Sequence, residues 1–260
     1  MRGGTSKGVF FHARDLPPIR RERDAALRRI IGSPDPYGRH TDGMGGATSS
    51  TSKVVIISPS ARPDCDVEYL FGAVSIEQPL IDWSGSCGNL AAAVGPFAIS
   101  EGLLQPGSSA AESALRRANG YDRVRIWQQN LGQRIDAWVP VREGQVVEQG
   151  AYAEDGVAFP GAEIRLEYID PADRGRLHHA FTATGSIALA VAAAIPGTIV
   201  SEVARTLPGV PTRIGHLSGT MAVGAEVVLS RGRWRVQKCM MSRSARRLMR
   251  GVVFVAGGYV

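Results

Sequence analysis

The alternation of apolar and polar positions divides the chain into short strands and a few helical stretches. Residues 8–13 are brief and apolar and suit a strand. Arg20–Ile31 sets Ala25, Ala26, Leu27, Ile30 and Ile31 among charges, the pattern of an amphipathic helix, and Gly32 and Pro34 stop it. From 32 to 52 the residues are mostly Gly, Ser, Thr, Pro and Asp, a long loop of the kind compact domains keep for function. The run KVVIIS at 53–58 predicts a buried strand, and 66–77 a second one with alternating character. Further strands are expected at 122–129, 134–141, 163–169, 213–216, 220–229, 233–239 and 252–255.

Two helices stand apart because they are apolar on most sides. The Gly/Ser-rich turn at 83–88 opens directly into Asn89-Leu-Ala-Ala-Ala-Val, and a second alanine-rich helix is expected over 184–195. Their entries, beginning at Cys87 and at Thr182, align as similar segments: a small polar turn entering an alanine-rich helix. One supersecondary unit used twice, a central helix wrapped by strands in each half, accounts for this. Any two alanine-rich helices also align, so the similarity by itself is weak.

Composition narrows the class. The chain has 260 residues, 44% hydrophobic and 21% charged, which suits one large domain or two ordinary ones with packed cores. It contains no uninterrupted apolar run of about 18 residues, the length a spanning helix needs, and MRGGTSKG lacks the apolar core of a signal peptide. A cytoplasmic protein without membrane association is expected. Cys65, Cys87 and Cys239 are too few and too scattered for a disulfide framework or a zinc site. The net charge of +6 raises the question of nucleic acid. The arginines, however, are dispersed into 20–29 and 243–250 without interleaved aromatics, and no nucleic-acid-binding signature is visible. They read as solvated faces, including Arg243, Arg246, Arg247 and Arg250. A mild positive field also favours small anionic substrates.

Candidate chemistry gathers at a few turns. Cys87, in Ser84-Gly-Ser-Cys-Gly-Asn, falls at the apparent first turn of a buried helix. Free N–H groups and the positive end of the dipole favour a thiolate there, and the glycines allow a ligand close. The alternative is an inert buried cysteine. The flanking glycines, with no hydrophobic residue before Leu90, favour the reactive reading. Lys53 begins an apolar run, where partial desolvation favours its neutral, basic form, although a strand-end lysine with its head in water fits equally well. Arg2-Gly-Gly-Thr-Ser-Lys-Gly offers cations, hydroxyls and flexible backbone suited to a carboxylate or phosphate, without the residue order of a P-loop. His178 and His179 are adjacent, so they cannot both face one site on regular structure. Cys65 and Cys239 read as structural.

Taken together, MRGGTSKGVFF, GSPDPYGRHTDGMGGATSSTSK, PDCDVEYLFG, WSGSCGNLAAAVGPFAI, HHAFTATGSIALAVAAAIPGT and MSRSARRLM resemble the 2-methylaconitate isomerase / 4-oxalomesaconate tautomerase family (PrpF). The resemblance implies an α+β, diaminopimelate-epimerase-like fold of two pseudo-symmetric strand barrels, each around a central helix. It implies domains at 1–160 and 161–260. It implies a cofactor-independent isomerase of small unsaturated polycarboxylates, with no metal, because conjugation in the substrate delocalises the electrons. The family's catalytic lysine and cysteine fall on Lys53 and Cys87. Carboxylate binding falls on Arg2, Gly3, Gly4, Thr5 and Ser6, on Ser49, Ser50 and Thr51, on Gly88 and Asn89, and on the second-domain turns Thr184-Gly185 and Ser218-Gly219. Racemases of this fold open the second helix with another cysteine. Here that position is Thr182, so Lys53 supplies the acid/base partner instead. Family members also carry a long segment between the strand ending near Asp170 and the block beginning near His178. Here 170–177 joins them directly, so the second domain is shortened, and a homodimer is one way to complete it. The rival to an enzyme is a binding remnant that keeps the anion loops without a closed site. Expected partners are therefore a small anionic polycarboxylate and a second copy, not nucleic acid or membrane.

Overall fold

The computed structural model describes residues 1–104, 120–169, 183–204, 206, 209–216 and 219–254. Strands β1 (Arg2–Gly3), β2 (Ser6–Lys7) and β3 (Val9–His12) lead through a short 3-10 turn to α1 (Arg20–Ile31). After the 32–52 loop come β4 (Lys53–Pro59), β5 (Val67–Val74), β6 (Ile81–Asp82) and α2 (Gly88–Ser100). Then follow β7 (Tyr121–Gln128), β8 (Gln133–Arg142), β9 (Gln145–Val146) and β10 (Ile164–Ile169). The C-terminal part holds α3 (Ala183–Ala194), α4 (Ile199–Val203), β11 (Thr212–His216), β12 (Gly219–Ser230), β13 (Arg233–Arg243) and β14 (Ala245–Arg246).

One long sheet runs in the order β11-β12-β13-β10-β8-β7-β5-β4-β3, with β6 beside β5 and β9 beside β8. Among the described residues, only β3–β4 and β5–β7 pair in parallel within it. The sheet curls around α2, whose Leu90, Ala91, Ala92, Ala93 and Val94 are wholly buried against residues of β4, β5, β7, β8, β10 and β13. This explains why that helix carries no polar stripe: it has no face toward water. The run KVVIIS reads as continuously apolar for the same reason. Alternate residues point to opposite faces of a strand, so Val55 and Ile57 meet the α2 core while Val54 and Ile56 pack with Leu27 and Ile31 of α1.

The second alanine-rich helix is covered differently. Helix α3 buries Ser186, Ala190 and Ala193, while Leu189 is 36% exposed. It packs by one face where α2 is enclosed. Two sequence expectations fail. Residues 252–254 are not a strand: Val252 and Phe254 are exposed, the latter by 95%, and 255 lies outside the described residues. An apolar run becomes a strand only where a neighbour offers a ladder, and the described residues after β14 pair with none. Arg243 is the other failure. It is not on a solvated face but 4% exposed, at the inner end of β13 opposite Ile164.

A separate three-stranded ladder positions the site. Strand β1 pairs with β2 and with β14, setting Arg2 opposite Arg246 and Gly3 opposite Ala245. The amide of Gly4 donates to the Ser244 carbonyl at 2.8 Å. The ends of the chain's described part thus meet over the start of α2.

Candidate active site

Lys53 opens β4 and Cys87 caps α2, and the fold brings the two together. Lys53 Nζ donates to Cys87 Sγ at 3.2 Å and to Ser6 Oγ at 2.9 Å. The thiol lies 3.7 Å from the same hydroxyl. All three are nearly closed from solvent, Lys53 at 6% and Cys87 at 7% exposure. Phe71 places its ring 5.8 Å beneath the lysine nitrogen, a favourable contact for a cation in a desolvated place. The snorkelling reading of Lys53 is thereby replaced: its amine points inward and is held by two polar partners.

The turn is fixed by the helix it begins. Cys87 is extended, at φ −120° and ψ 99°, and its side chain makes no capping hydrogen bond. The amides of a helix's first turn have no partner within the helix and carry its positive dipole end. Tyr69, fully buried, donates its hydroxyl to the Cys87 carbonyl at 3.1 Å, and the same oxygen takes the Ala91 amide at 3.0 Å. Burial of the phenol holds Tyr69 well above its ordinary titration range, so it remains a donor. The other two cysteines differ. Burial and the Asp64 carboxylate raise the Cys65 thiol, and burial with Glu226 pushes Cys239 up to about 11.

The Arg2-Gly-Gly-Thr-Ser turn arrives on the other side of Cys87. Gly3 lies so close to α2 that a Cβ there would sit 2.5 Å from the Asn89 carbonyl oxygen, and Gly4 has φ +51°. Both positions require glycine. Asn89 donates to Thr5 Oγ1 at 3.0 Å and accepts from Arg243 Nε at 3.0 Å. Arg2 Nη1 donates to the Gly4 and Ser244 carbonyls and to the Ser244 hydroxyl, at 3.0, 3.2 and 3.1 Å. Thr5, Asn89 and Arg243 line a cavity of about 570 Å³ whose opposite wall is built from β11, β12 and β13. A larger cavity of about 860 Å³ is lined by the 32–44 loop and Phe254, and it borders none of Lys53, Cys87 and Ser6. The smaller cavity is not lined by them either, but it adjoins them through Thr5, next to Ser6, and Asn89, in the first turn of the helix that Cys87 caps. We place the chemistry there.

The remaining sequence candidates separate. Ser49 and Ser50 are exposed, and Thr51 is half-buried in a turn closed by Thr48, whose hydroxyl is 2.7 Å from Thr51 Oγ1. The Ser50 carbonyl accepts the Lys7 amide at 2.9 Å, so this turn braces the site from behind β4. Thr184 and Gly185 lie in the first turn of α3, and Gly219 opens β12. Ser218, Thr182, His178 and His179 lie outside the described residues. Sequence reasoning missed Glu154, Ser244, Tyr69 and the inward turn of Arg243. The SRSARRLM block carried the only signal for two of them, and the arginine spacing there looks like a solvated face.

Comparison with known proteins gives the family and the fold. Residues 1–176 and 174–256 match a family model described as PrpF protein, in two pieces that meet at the shortened junction. The chain is 38% identical to a 2-methyl-aconitate isomerase of Cupriavidus necator, over 99% of this chain and 96% of that protein. That alignment spans 387 positions, so a large block of the relative has no counterpart among the 260 residues here. Over 66% of this chain and 44% of the relative it is 42% identical to a 4-oxalomesaconate tautomerase of Pseudomonas putida. A crystal structure of a methylitaconate-delta-isomerase superimposes with a TM-score of 0.72 and 34% identity, covering 98% of this chain and 96% of that one. The expected epimerase-like α+β fold is the fold observed. Among the described residues no helix is long and apolar enough to cross a membrane.

Proposed function

Because the chain belongs to the PrpF protein family, we propose that it isomerises small unsaturated polycarboxylates of the 2-methylaconitate or oxalomesaconate kind, without a cofactor, by proton abstraction and reprotonation. The observation that carries this is the buried contact of Lys53 Nζ with Cys87 Sγ at 3.2 Å, at the start of α2. One proton can pass across that distance, so the pair can present a base and an acid to one substrate.

In the reaction Lys53 accepts the proton from the allylic carbon, and the C–H electron pair enters the conjugated system as a dienolate. Cys87 returns a proton to the same or a neighbouring carbon, and a proton moves from lysine to thiolate to reset the pair. Negative charge spreading onto the substrate's carboxylate meets the first amides of α2, the Thr5 hydroxyl and the guanidinium of Arg2. Such donors stabilise most when they are fixed before the charge develops. Ser6 holds Lys53 in line. Residues 1–160 and 161–260 act as the two halves of this site, and a second copy covers what the shortened half exposes.

A thermal melt tests the reading. Millimolar trans-aconitate should raise the midpoint of a cooperative transition, because a ligand that binds only the folded state stabilises it by mass action. An unchanged midpoint with every unsaturated di- and tricarboxylate tried would refute the function.

A further inference from the structure

Cys87 does not stand alone: an amine reaches its sulfur in a place nearly closed from solvent. Lys53 Nζ lies 3.2 Å from Cys87 Sγ, and the two side chains approach from different elements, the first residue of β4 and the cap of α2. Ser6 completes the triangle, with its hydroxyl 2.9 Å from the nitrogen and 3.7 Å from the sulfur. The turn that carries Ser6 is itself anchored. The Gly4 amide donates to the Ser244 carbonyl, while the Ser244 amide and hydroxyl each donate to Glu154 Oε2 at 2.9 Å. Arg243 Nε lies 3.4 Å from the other oxygen of that carboxylate. Nitrogen and sulfur are thus held together by the fold before any ligand arrives.

Such a pair has a chemistry besides proton transfer. A sulfur with a lysine donor and a helix's first amides beside it is a nucleophile toward peroxide. The sulfenic acid that results is electrophilic at sulfur and condenses with a neighbouring thiol or nitrogen. Cys65 and Cys239 are poor candidates for that partner, because burial and neighbouring carboxylates keep both thiols protonated, and a thiol attacks slowly. The Lys53 amine is already in contact, and its flexible four-carbon stem can close the remaining distance by bond rotation alone. The small exposure of both residues limits the water that would compete for the sulfur.

We propose that Lys53 and Cys87 form a peroxide-driven sulfur–nitrogen cross-link that switches the site off reversibly. The Cys87 sulfur attacks hydrogen peroxide, the O–O bond breaks, hydroxide leaves, and Cys87 becomes a sulfenic acid. The unprotonated Lys53 amine then attacks that sulfur. The S–N bond forms, the S–O bond breaks, and the hydroxyl departs with an amine proton as water. Sulfur gives up two electrons, one peroxide becomes two waters, and the protein loses two hydrogens. A small dithiol reverses the step, returning thiol and amine as it closes to its own disulfide. Formation of the bond rests on the geometry alone. That it stops turnover rests on the isomerase reading, since the bond consumes both groups of the proton relay.

Peroxide titration of the purified protein, followed by tryptic mapping, tests this. Reduced protein should give separate peptides 40–53 and 54–116, because Lys53 is the one cleavable position between Arg39 and Arg116 (Arg62 precedes a proline). Cross-linked protein should give a single 40–116 peptide about 2 Da lighter than the linear segment, uncut after its substituted lysine. Fragmentation should place the link at Cys87 and not at Cys65, and Cys87→Ser should restore cleavage after Lys53. Turnover should fall in step with the cross-linked fraction and return with dithiothreitol. Oxygen gained on Cys87 with Lys53 still cleaved would overturn the proposal. So would a link to Cys65, or two hydrogens lost with Lys53 still cleaved, the mark of a disulfide or of a bond to a backbone amide. Full turnover in cross-linked protein would overturn the switch. A cross-link in protein that turns over no unsaturated polycarboxylate when reduced would uphold the bond and refute only the isomerase reading.

Discussion

Replacing Gly3 by alanine probes the tightest contact in the site. The new Cβ would lie 2.5 Å from the Asn89 carbonyl oxygen and 3.1 Å from the Leu90 Cα, both backbone atoms of a helix enclosed on all sides. That is about 1 Å short of ordinary contact. No rotamer change relieves it, so β1 must move away from α2. Overpacking of this kind costs about 1–3 kcal/mol of stability. The larger consequence is chemical. Ser6 follows on the same turn, and its hydroxyl is 2.9 Å from Lys53 Nζ. A displacement of about 1 Å breaks that hydrogen bond, and misplacement on this scale lowers turnover by about a hundredfold. Urea denaturation should show the midpoint fall, and steady-state isomerisation should show kcat/KM fall further than the lost stability explains. Gly251→Ala, where an added Cβ meets nothing within 4 Å, should do neither. Wild-type kcat/KM in Gly3→Ala would refute the claim that the close approach of β1 to α2 sets the site.

A thiol-specific reagent at neutral pH should label Cys87 before Cys65 or Cys239, whose thiols are raised by burial and neighbouring carboxylates, and a bound polycarboxylate should slow it; earlier labelling of Cys65 would count against the turn. Tyr69→Phe removes the hydrogen bond to the Cys87 carbonyl and should cost about 1 kcal/mol in chemical denaturation with some loss of rate, whereas an unchanged midpoint would show that the phenol does not brace the turn. Amides of 184–195 should exchange with deuterium faster than those of 89–99 in dilute protein, because α3 packs by one face and α2 is enclosed. Raising the protein concentration should slow the former if a second copy covers the exposed Leu189, Ile199 and Val203; equal strong protection in a monomer would show the short half to be closed already.

Much of this architecture is legible along the chain, for local reasons. The α1 boundaries follow from its charge pattern and from Gly32 and Pro34. The strand at Lys53 announces itself because both of its faces are buried. Cys87 declares itself by glycines on both sides of a turn that runs into a helix with no polar stripe. The resemblance added the roles of Arg2, Thr5 and Asn89, which a Gly-rich turn alone does not specify. Glu154 was invisible because its environment is assembled from afar. AYAEDG looks like a solvated loop until β14 pairs with β1 and delivers Ser244 and Arg243 to it. Arg243 was misread for the same reason, and the 252–255 run because periodicity cannot tell whether a ladder partner exists.

The central claim is that Lys53 and Cys87 move the substrate's proton, and solvent exchange measures that directly. Unsaturated polycarboxylate incubated with wild-type protein in deuterium oxide should gain deuterium at the allylic carbon, followed by mass spectrometry or proton NMR. Lys53→Ala should abolish that exchange while binding stays within about tenfold, or roughly 1.4 kcal/mol. Lys53→Arg should not restore it, because a guanidinium stays protonated and cannot take up the proton. Exchange at the wild-type rate in Lys53→Ala would contradict the account, since the 3.2 Å contact between amine and thiol would then have no part in the chemistry.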